Sequence, residues 1–415
     1  MEQRKGQSGT TSVSAPPDHD VTLIRASSRR AAERWESVVD RLAAEEGAPV
    51  YMTWDWLNSW WDSYGETREF ALALLGRGKE VVGFVPWYVD SLGCLGLGLR
   101  VARIIGANVP PKTFDPPIGG SSEEVLELMV RTLFDEERCD LICMGPVSAS
   151  WKGRQAWLRT IERLSASGYR CEYKRRDVRT LFMLPATFEE FMGRLSSGER
   201  KGRLKRLRQL SRSCHLVADV VSDAELVGAA FEEFVDMHQR QWRSTGRPGH
   251  FGAWPRAISF NRELVRRQAE HGRVRFYRLL GDGRVLASRY TYLFGGTLYS
   301  ELPARVTGGD WDRRGIGICS MLKFVEQTIG EGISRIDSGM GHYDHKENLG
   351  GTEEEVGTWY IWRFGTVRGW LTWLGLKTSR HAACIYRKLW YRRIQPRLAR
   401  GWERPQSEAW LRYDL

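Results

Sequence analysis

The stretch TLYSELPARVTGGDWDRRGIGICSMLKFVEQTIGEGISRIDSGMGHYDHK, residues 297–346, decides the fold. Its first residues have the composition of a β-strand that ends near Glu301, and a polar loop follows as far as Arg314. Gly315-Ile316-Gly317 then begins a helix predicted over residues 315–330, and a second apolar strand ends at Asp337. The stretch therefore predicts a strand, a basic glycine-rich turn, a helix and a strand, an order typical of α/β domains.

The turn between this strand and this helix has the features of a phosphate-binding site. The first amides of a helix lack intrahelical partners, the helix dipole is positive there, and glycine lets an anion approach the backbone. Arg313 and Arg314 add positive charge for a pyrophosphate or a 3′-phosphate. We therefore predict that Arg313, Arg314, Gly315, Ile316 and Gly317 bind a phosphorylated cofactor. In the competing interpretation, the glycines only form a tight turn.

A similar order of elements occurs twice along the chain. Helices, a β-hairpin, strands and further helices precede residue 176, and helices, a three-strand meander over residues 273–303, a helix and a strand follow it. We predict an α/β (α+β) fold of two tandem domains, each a mixed, largely antiparallel sheet flanked by helices. The predicted boundaries are a disordered tail over residues 1–20, domains over 21–176 and 177–365, and a basic, tryptophan-rich extension over 366–415.

Composition excludes several classes of protein. Hydrophobic residues make up 42% of the chain and aromatic residues 11%, which suits a globular protein and not a disordered one. No run approaches the ~18 apolar residues of a transmembrane helix, and the N-terminus lacks the apolar core of a signal peptide. The 7 cysteines are odd in number and form no CxxC pair or zinc spacing, so we predict a cytoplasmic protein without a metal site.

The net charge of +11 belongs to two patches. Residues 192–212 carry 8 Lys and Arg against 1 Asp or Glu, and residues 366–415 carry 11 against 3, so the remainder is acidic. A chain-wide argument for nucleic-acid binding therefore fails. The first patch is either a solvated helix face or a groove for an anionic donor or acceptor. The second interleaves Trp and Leu with basic residues, which predicts either contact with an anionic membrane surface or a strap packed on the domain.

Several motifs carry a resemblance to a known superfamily. The strand, the loop, the RRGIG turn and the helix resemble the coenzyme A-binding core of GNAT acetyltransferases, although Asp312 stands where that motif has Gln or Arg. The aromatic TWDWLNSWW helix, the HQRQW segment at residues 238–242 and DSGMGHYDHK at residues 337–346 resemble the CelD-type (cellulose-biosynthesis-associated) acetyltransferases. Those proteins share the double-domain layout of the FemAB peptidyltransferases. The resemblance implies two tandem GNAT-like domains, the second of which binds acyl-CoA.

Three residues are the candidate catalytic groups. Transfer to an amine needs a base for the acceptor, donors for the oxyanion and an acid for the leaving thiolate. Glu301 lies on the strand before the phosphate loop, where a GNAT-type fold places a base, but it could also be a solvated carboxylate at a strand end. Asp337 ends a strand at the cleft or caps the turn that follows it. His345 stands where the family has Tyr and could donate a proton, or it merely starts a short helix.

Four further residues are predicted to contact the substrate. Tyr343 competes with His345 for the proton donor's task, and Lys346 would hold a phosphate, a carboxylate or the donor, unless it is an exposed helix charge. His238 and Trp242 are four residues apart, so they share a helix face and could line a wall of the cleft. For Trp242, core packing is the stronger interpretation.

The prediction for function follows from these motifs. We expect direct transfer of an acyl group, in the first instance acetyl, from acyl-CoA to an amine or hydroxyl of a sugar, lipid or polysaccharide precursor. No Cys/His pair and no GxSxG motif supports a covalent acyl-enzyme. Two alternatives remain open: a FemAB-type transferase that uses aminoacyl-tRNA, and a non-catalytic scaffold in exopolysaccharide assembly.

Overall fold

The computed structural model describes residues 10–14, 21–94, 97–107, 112–247, 249–252 and 254–394. These residues form two compact units. Unit 1 contains the chain up to Arg176 and Glu355–Cys384, and unit 2 contains Asp177–Glu354 and the described residues from 385 onward. The segment 355–365, which the sequence assigns to the second domain, belongs to unit 1. Residues 395–415 of the 366–415 extension lie outside the described residues.

Thirteen strands occur in the described residues: β1 Thr10–Ser14, β2 Val21–Ala26, β3 Glu69–Arg77, β4 Glu80–Cys94, β5 Leu97–Ile104, β6 Leu141–Ser148, β7 Tyr169–Met183, β8 Leu216–Val221, β9 Val274–Gly281, β10 Arg284–Phe294, β11 Thr297–Arg305, β12 Arg335–Met340 and β13 Thr352–Arg363. The α-helices of the same residues are α1 Arg29–Ala32, α2 Glu36–Glu45, α3 Trp54–Tyr64, α4 Glu123–Asp135, α5 Arg154–Ala166, α6 Phe188–Arg194, α7 Ser197–Ser213, α8 Val227–Arg243, α9 Ala257–Glu270, α10 Ile316–Gly330, α11 Asp344–Glu347 and α12 Val367–Ile385. None of these helices combines the length and apolarity needed to cross a bilayer.

The sheet of unit 1 runs in the order β1-β2-β3-β4-β5-β6-β13. Its neighbours pair antiparallel except β5 and β6, which are parallel. Trp56 and Trp60 on α3 are fully buried, as the aromatic helix predicts, and the Trp60 ring lies 5.0 Å from that of Tyr88 on β4. Thr10–Ser14, which the sequence places in a disordered tail, pairs with β2 as strand β1. Residues 1–9 and 15–20 of that tail lie outside the described residues.

The sheet of unit 2 runs in the order β7-β12-β11-β10-β9-β8. Strands β8 to β11 pair antiparallel, so the predicted meander is confirmed, whereas β11 and β12 are parallel. Helices α6, α7 and α10 pack together, and α10 contacts β8, β9 and β10; α8 packs against β9, β10 and β11. Each unit is thus a mixed, largely antiparallel sheet flanked by helices, and the predicted fold class is confirmed.

The two parallel strands of unit 2 separate soon after they meet. β11 and β12 pair only where Thr297–Tyr299 lies beside Arg335–Asp337. Beyond that point β11 remains paired with β10, while Met340 of β12 pairs with Arg179 of β7. The carboxyl ends of the two strands therefore diverge, and we call this opening the wedge. Openings of this kind are where open α/β sheets bind ligands.

Candidate functional site

The start of α10 presents unused backbone donors. Gly315 precedes the helix with φ +65°, in the left-handed region that favours glycine. Its carbonyl accepts the amides of Ile318 and Cys319 at 3.0 and 3.1 Å. Among the described residues, the amides of Gly315, Ile316 and Gly317 have no backbone acceptor, and no side chain caps this end of the helix. Three donors at the positive end of the helix dipole are therefore available to an anion.

Two arginines from other elements lie beside these donors. A methyl group added to Gly315 would lie 3.0 Å from Cδ and 3.2 Å from Nη1 of Arg206, which is exposed on α7. A methyl group added to Gly317 would meet only Cδ of Arg305, at 3.7 Å. The predicted phosphate site thus has open space at Gly317 and a guanidinium at Gly315, and its residues fit a phosphate group.

The loop residues before α10 differ in what they can contribute. Arg313 is exposed, whereas the guanidinium of Arg314 stacks 4.8 Å from the Trp311 ring. Asp312 accepts the Gly308 amide at 3.0 Å and lies 3.5 Å from Nη1 of Arg305. Asp312, the departure from the motif, therefore stabilises the loop.

The side chain of Ile316 is buried in the core of unit 2. It packs in one hydrophobic cluster with Leu210, Leu279 and Leu286. Only the backbone amide of Ile316 can therefore reach a ligand.

Glu301 is the extra residue of a β-bulge. Leu302 pairs with Tyr290 and Ser300 with Thr291, which leaves Glu301 between two consecutive pairs of the β10–β11 ladder. The Glu301 side chain is partly buried. Burial raises the pKa of the Tyr290 hydroxyl well above its usual value, and the nearby Glu301 carboxylate raises it further. A bulge of this kind re-aims side chains and backbone groups, and bulges are frequent beside active sites.

Asp337 and Lys346 fix the loop that follows β12. Oδ1 of Asp337 accepts the Gly339 amide at 2.8 Å, so Asp337 does cap the turn. Nζ of Lys346 donates to the carbonyls of Ser338, Gly339 and Gly341 at 3.0, 3.2 and 3.3 Å. The three donors of the ammonium group are all directed at this loop, and Lys346 is 6% exposed. Lys346 is therefore buried and holds the loop together through its hydrogen bonds. Its contact with a substrate stays a prediction.

Asp337 belongs to a buried network of charged side chains. Oδ2 of Asp337 lies 3.5 Å from Nη1 of Arg179, whose Nε donates to Glu354 at 2.9 Å. Burial lowers the pKa of Lys346, while Asp337 acts in the opposite direction. Asp337 thus lies close to two cations, Arg179 and Lys346, which position it.

His345 lies on α11 beside the loop. Burial lowers the pKa of its imidazole, and the positive charges of Lys346, Arg289 and Arg203 lower it further. At neutral pH His345 is therefore unprotonated and suited to accept a proton, whereas the sequence suggested that it could donate one. Its ring centroid lies 5.5 Å from that of Tyr343, which is exposed.

One group of side chains near α11 has the spacing of metal ligands. The ligand atoms of His342, Glu347 and Glu353 lie within 4.8 Å of one another. Nδ1 of His342 is 2.8 Å from Glu353, and this contact raises the pKa of the imidazole. The hydrogen bond between His342 and Glu353 holds two of these three side chains together.

His238 belongs to an aromatic cluster inside unit 2. It is fully buried, its Nε2 lies 3.2 Å from Nδ1 of His250, and its ring lies 5.1 Å from that of Phe251. Burial lowers the pKa of His238 to about 3, and His250 adds to this effect. Trp242 is partly buried, with its ring 5.9 Å from that of His238. His238 is therefore part of the core, where its Nδ1 has no hydrogen-bond partner among the described residues, and Trp242 packs beside it.

The comparison with protein families addresses this same region. Residues 198–347, which lie within unit 2, match the family described as acetyltransferase (GNAT) domain. The chain is a transferase with a GNAT-type acetyltransferase domain. GNAT domains take acyl-CoA as co-substrate, which agrees with the phosphate-binding geometry at α10. No curated protein sequence matches this chain.

Several solved structures are similar to this chain over about four fifths of its length. The crystal structure of FemX has a TM-score of 0.56 at 11% identity and covers 79% of this chain and 96% of that one. A conserved protein of unknown function from Bacteroides thetaiotaomicron has a TM-score of 0.49 at 9% identity, with 80% and 97% covered. L-PGS from Bacillus licheniformis has 0.45 at 11% identity, with 80% and 92% covered. The likeness to FemX shows a shared fold, and at 11% identity it shows nothing beyond the fold.

The GNAT-type domain brings some predicted residues together. Gly315, Ile316 and Gly317 form one donor cluster at the start of α10. Asp337, Lys346 and His345 form a second group beyond β12. Glu301 lies on the bulge of β11, which borders the wedge. His238 is fully buried in the aromatic cluster of α8.

Sequence reasoning missed two arginines of this domain. Arg206 was one of several charges on a basic helix, and helical periodicity does not tell which of them meets α10. Arg289 had a readable signal, because it interrupts the strand sequence VLASRYTYLF, in which every other residue is uncharged. A lone charge in a strand that otherwise reads as buried is an anomaly that predicts a function.

Proposed function

We propose that unit 2 transfers an acyl group, in the first instance acetyl, directly from acyl-CoA to an amine or hydroxyl group. The single observation that carries this proposal is the set of three unused amides at Gly315, Ile316 and Gly317, beside Arg206. A sugar, lipid or polysaccharide precursor is the proposed class of acceptor, which is the class that the CelD-type resemblance implies.

The residues present suit the two ends of such a donor. The amides of α10 and the Arg206 guanidinium would hold the diphosphate, and exposed Arg313 can reach a further phosphate. The thioester supplies an activated acyl group when it is bound. The wedge between β11 and β12 is the opening in which that end would lie, because β11 and β12 have no mutual hydrogen bonds beyond Tyr299 and Asp337.

Glu301 and unprotonated His345 are the proposed proton acceptors. Glu301 lies on the bulged segment of β11, next to the wedge. His345 is neutral at neutral pH because burial and three cations disfavour its charged form. Either group can take the proton that the attacking amine or hydroxyl gives up, and Tyr343 can return a proton to the departing thiolate.

A covalent acyl-cysteine is not part of this proposal. Cys319 on α10 is the cysteine closest in sequence to the phosphate-binding turn, and it is fully buried. Burial raises the pKa of its thiol to about 11. The thiolate, which is the reactive form, is therefore scarce at neutral pH, and direct transfer is favoured.

Glutamate substitutions at the two ends of α10 test the donor site. Gly317→Glu places a carboxylate among the unused amides, at a position with ordinary backbone geometry and open space. Gly330→Glu introduces the same side chain at the other end of the helix, where a methyl group would meet nothing within 4 Å. Calorimetry should show that acetyl-CoA binds the wild type and Gly330→Glu, and that Gly317→Glu weakens binding at least about 100-fold, the effect of exchanging attraction for repulsion at a phosphate.

The same titrations separate the alternatives. Salt-dependent binding of tRNA without binding of acetyl-CoA would support a FemAB-type transferase. Absence of binding by both ligands would support the scaffold. Equal binding of acetyl-CoA by Gly317→Glu and Gly330→Glu would remove α10 from the donor site.

The exposed face of α12 supports a membrane surface as a partner at the cytoplasmic side. Leu376 on α12 is buried in a cluster of unit 1, whereas Val367, Trp370, Trp373 and Leu374 are exposed. The extension that contains α12 is strongly basic, with 11 Lys and Arg against 3 Asp and Glu in residues 366–415. Exposed aromatic side chains beside positive charge suit the interface of an anionic bilayer.

A further inference from the structure

Arg289 is a cation for which the described part of the chain offers no carboxylate partner. Its Nη1 donates to Oγ of Ser300 at 3.0 Å, and its Nη2 to the sulfur of Met321 at 3.4 Å. Its guanidinium carbon lies 4.7 Å from the ring of Phe324. Nε of Arg289 is shielded from solvent and has no hydrogen-bond partner among the described residues. Of its five N–H donors, two are therefore used, both by neutral acceptors.

Other inward-facing arginines of unit 2 are paired differently. Arg179, Arg203 and Arg278 lie 2.9, 2.7 and 2.6 Å from the carboxylates of Glu354, Glu199 and Asp219. Within the described residues, Arg289 has no such partner within 4.0 Å. Withdrawing a charge from water without a counter-charge costs free energy. Burial lowers the pKa of Arg289 to about 10, so the group nevertheless stays charged at neutral pH.

Arg289 lies where the wedge begins. Its partner Ser300 directly follows Tyr299, the last residue of β11 that pairs with β12. The charge of Arg289 also reaches the far side of the wedge, because it lowers the pKa of both His345 and Lys346. The guanidinium therefore acts electrostatically on the proposed proton acceptor, and it contacts α10 at Met321, beyond the donor amides at the start of that helix.

We propose that Arg289 binds a carboxylate on the acceptor, so that the acceptor is an amine or hydroxyl compound that also carries a carboxylate group. This inference rests on the proposed function and deepens it. One uncompensated guanidinium matches one singly charged anion, and its remaining N–H donors can hold a carboxylate through two parallel hydrogen bonds. An acceptor whose carboxylate is bound by Arg289 would have its amine or hydroxyl group next to His345.

A binding experiment without donor tests the subsite alone. Acetate and the neutral acetamide are titrated into ¹³C-histidine-labelled protein at constant ionic strength, and the His345 resonance is assigned with His345→Gln. Acetate is expected to shift this resonance and to raise the pKa of His345, because an anion offsets the charge of Arg289. Acetamide is expected to do neither. Arg289→Gln should abolish the response, and Arg278→Gln, which removes a cation already paired with Asp219, should retain it.

Three results of this titration would overturn the proposal. The first is no response to acetate, the second is an equal response to acetamide, and the third is an unchanged response in Arg289→Gln. Sulfate binding more tightly than acetate would overturn the choice of a carboxylate. Arg289→Lys serves as a second variant, because it retains the charge and should keep part of the response if Arg289→Gln fails to fold.

Turnover then tests the role in the reaction. Thiol release from acetyl-CoA is measured with acceptors of the proposed class that differ in one group, such as 2-amino-2-deoxyglucuronic acid against glucosamine, and with L-lysine against 1,5-diaminopentane. The wild type is expected to prefer the carboxylate partner in kcat/KM, and Arg289→Gln to lose about 10–100-fold of that preference, the range for a charge-assisted hydrogen bond. A rise in the KM for acetyl-CoA that is the same for every acceptor would make Arg289 a donor residue and refute the proposal. No turnover, together with a carboxylate response in the titration, would instead refute the proposed function and leave the subsite.

Discussion

Replacing His238 should change how the stability of the protein depends on pH. Burial holds the pKa of His238 at about 3 in the folded protein, against an ordinary value of 6.5. Above pH 6.5 the folded and unfolded states both carry neutral imidazole. Below pH 6.5 the His238 imidazole binds a proton in the unfolded state but not in the folded state, so the free energy of unfolding falls as the pH falls. The loss continues until the pH nears the folded value.

The magnitude follows from the size of the shift. Each pH unit between the two pKa values costs about 1.4 kcal/mol, so His238 alone removes about 2 kcal/mol between pH 6.5 and pH 5. His238→Gln has no titrating group and can still place an amide nitrogen near Nδ1 of His250. Its free energy of unfolding should therefore fall about 2 kcal/mol less than that of the wild type over this range, although it starts lower at pH 7.

Urea unfolding at a series of pH values measures this difference. His215→Gln is the matched control, because His215 is exposed and its replacement should leave the wild-type slope unchanged. Parallel curves for the wild type and His238→Gln would show that His238 titrates normally and is reachable by water. That result would refute the burial argument and return His238 to the wall of the cleft, where the sequence placed it.

Three further predictions concern the loop, the base and the membrane. Lys346→Met leaves three carbonyls without their donor and should lower the free energy of unfolding by about 3 kcal/mol in calorimetry. Lys323→Met, the control, breaks a half-exposed ion pair and should lower the free energy of unfolding by under about 1 kcal/mol. A raised KM for the acceptor with unchanged stability of Lys346→Met would make Lys346 a substrate contact. The rate should fall as acid protonates His345, at a pH below 6.5, and His345→Gln should lose about 100-fold in kcat together with that limb; an unchanged profile would leave Glu301 as the base. Trp370→Ser combined with Trp373→Ser should weaken cosedimentation with phosphatidylserine vesicles at least about 10-fold, and equal binding would exclude this face of α12.

The fold could be predicted because its signals are local. Alternation in the meander, the aromatic periodicity of α3 and the glycine before α10 each specify one element from neighbouring residues. Strand β1 was missed, because residues 10–14 have no apolar alternation, although their backbone pairs with that of β2. Sequence patterns report side chains, and backbone pairing of a polar edge strand leaves little trace in them.

The candidate site was harder to predict because its contacts are long-range. The sequence places Lys346 on a short helix, where an exposed charge is the ordinary expectation. The structure instead buries it, because the turn at Gly339 and Gly341 brings three carbonyls within reach of its ammonium group. His238 is a similar case, since the neighbours that shield it, His250 and Phe251, come from a loop beyond its helix. Helical spacing gives the face of a residue but not what covers that face.

The two departures from the family motifs now have separate physical explanations. Asp312 removes a cation from the phosphate loop, but α7 supplies one from elsewhere in the chain, because Arg206 reaches the start of α10. The carboxylate of Asp312 in turn fastens the loop through Gly308 and Arg305. His345 replaces a tyrosine with a group that is unprotonated at neutral pH. A cleft that had lost its function would be expected to lose Arg206 at the phosphate loop and the unpaired charge of Arg289 as well. A cation such as Arg289, which has no counter-charge, lowers stability and brings no benefit without a ligand. The chain retains Arg289 despite this loss of stability, which argues for an active cleft and against a non-catalytic scaffold.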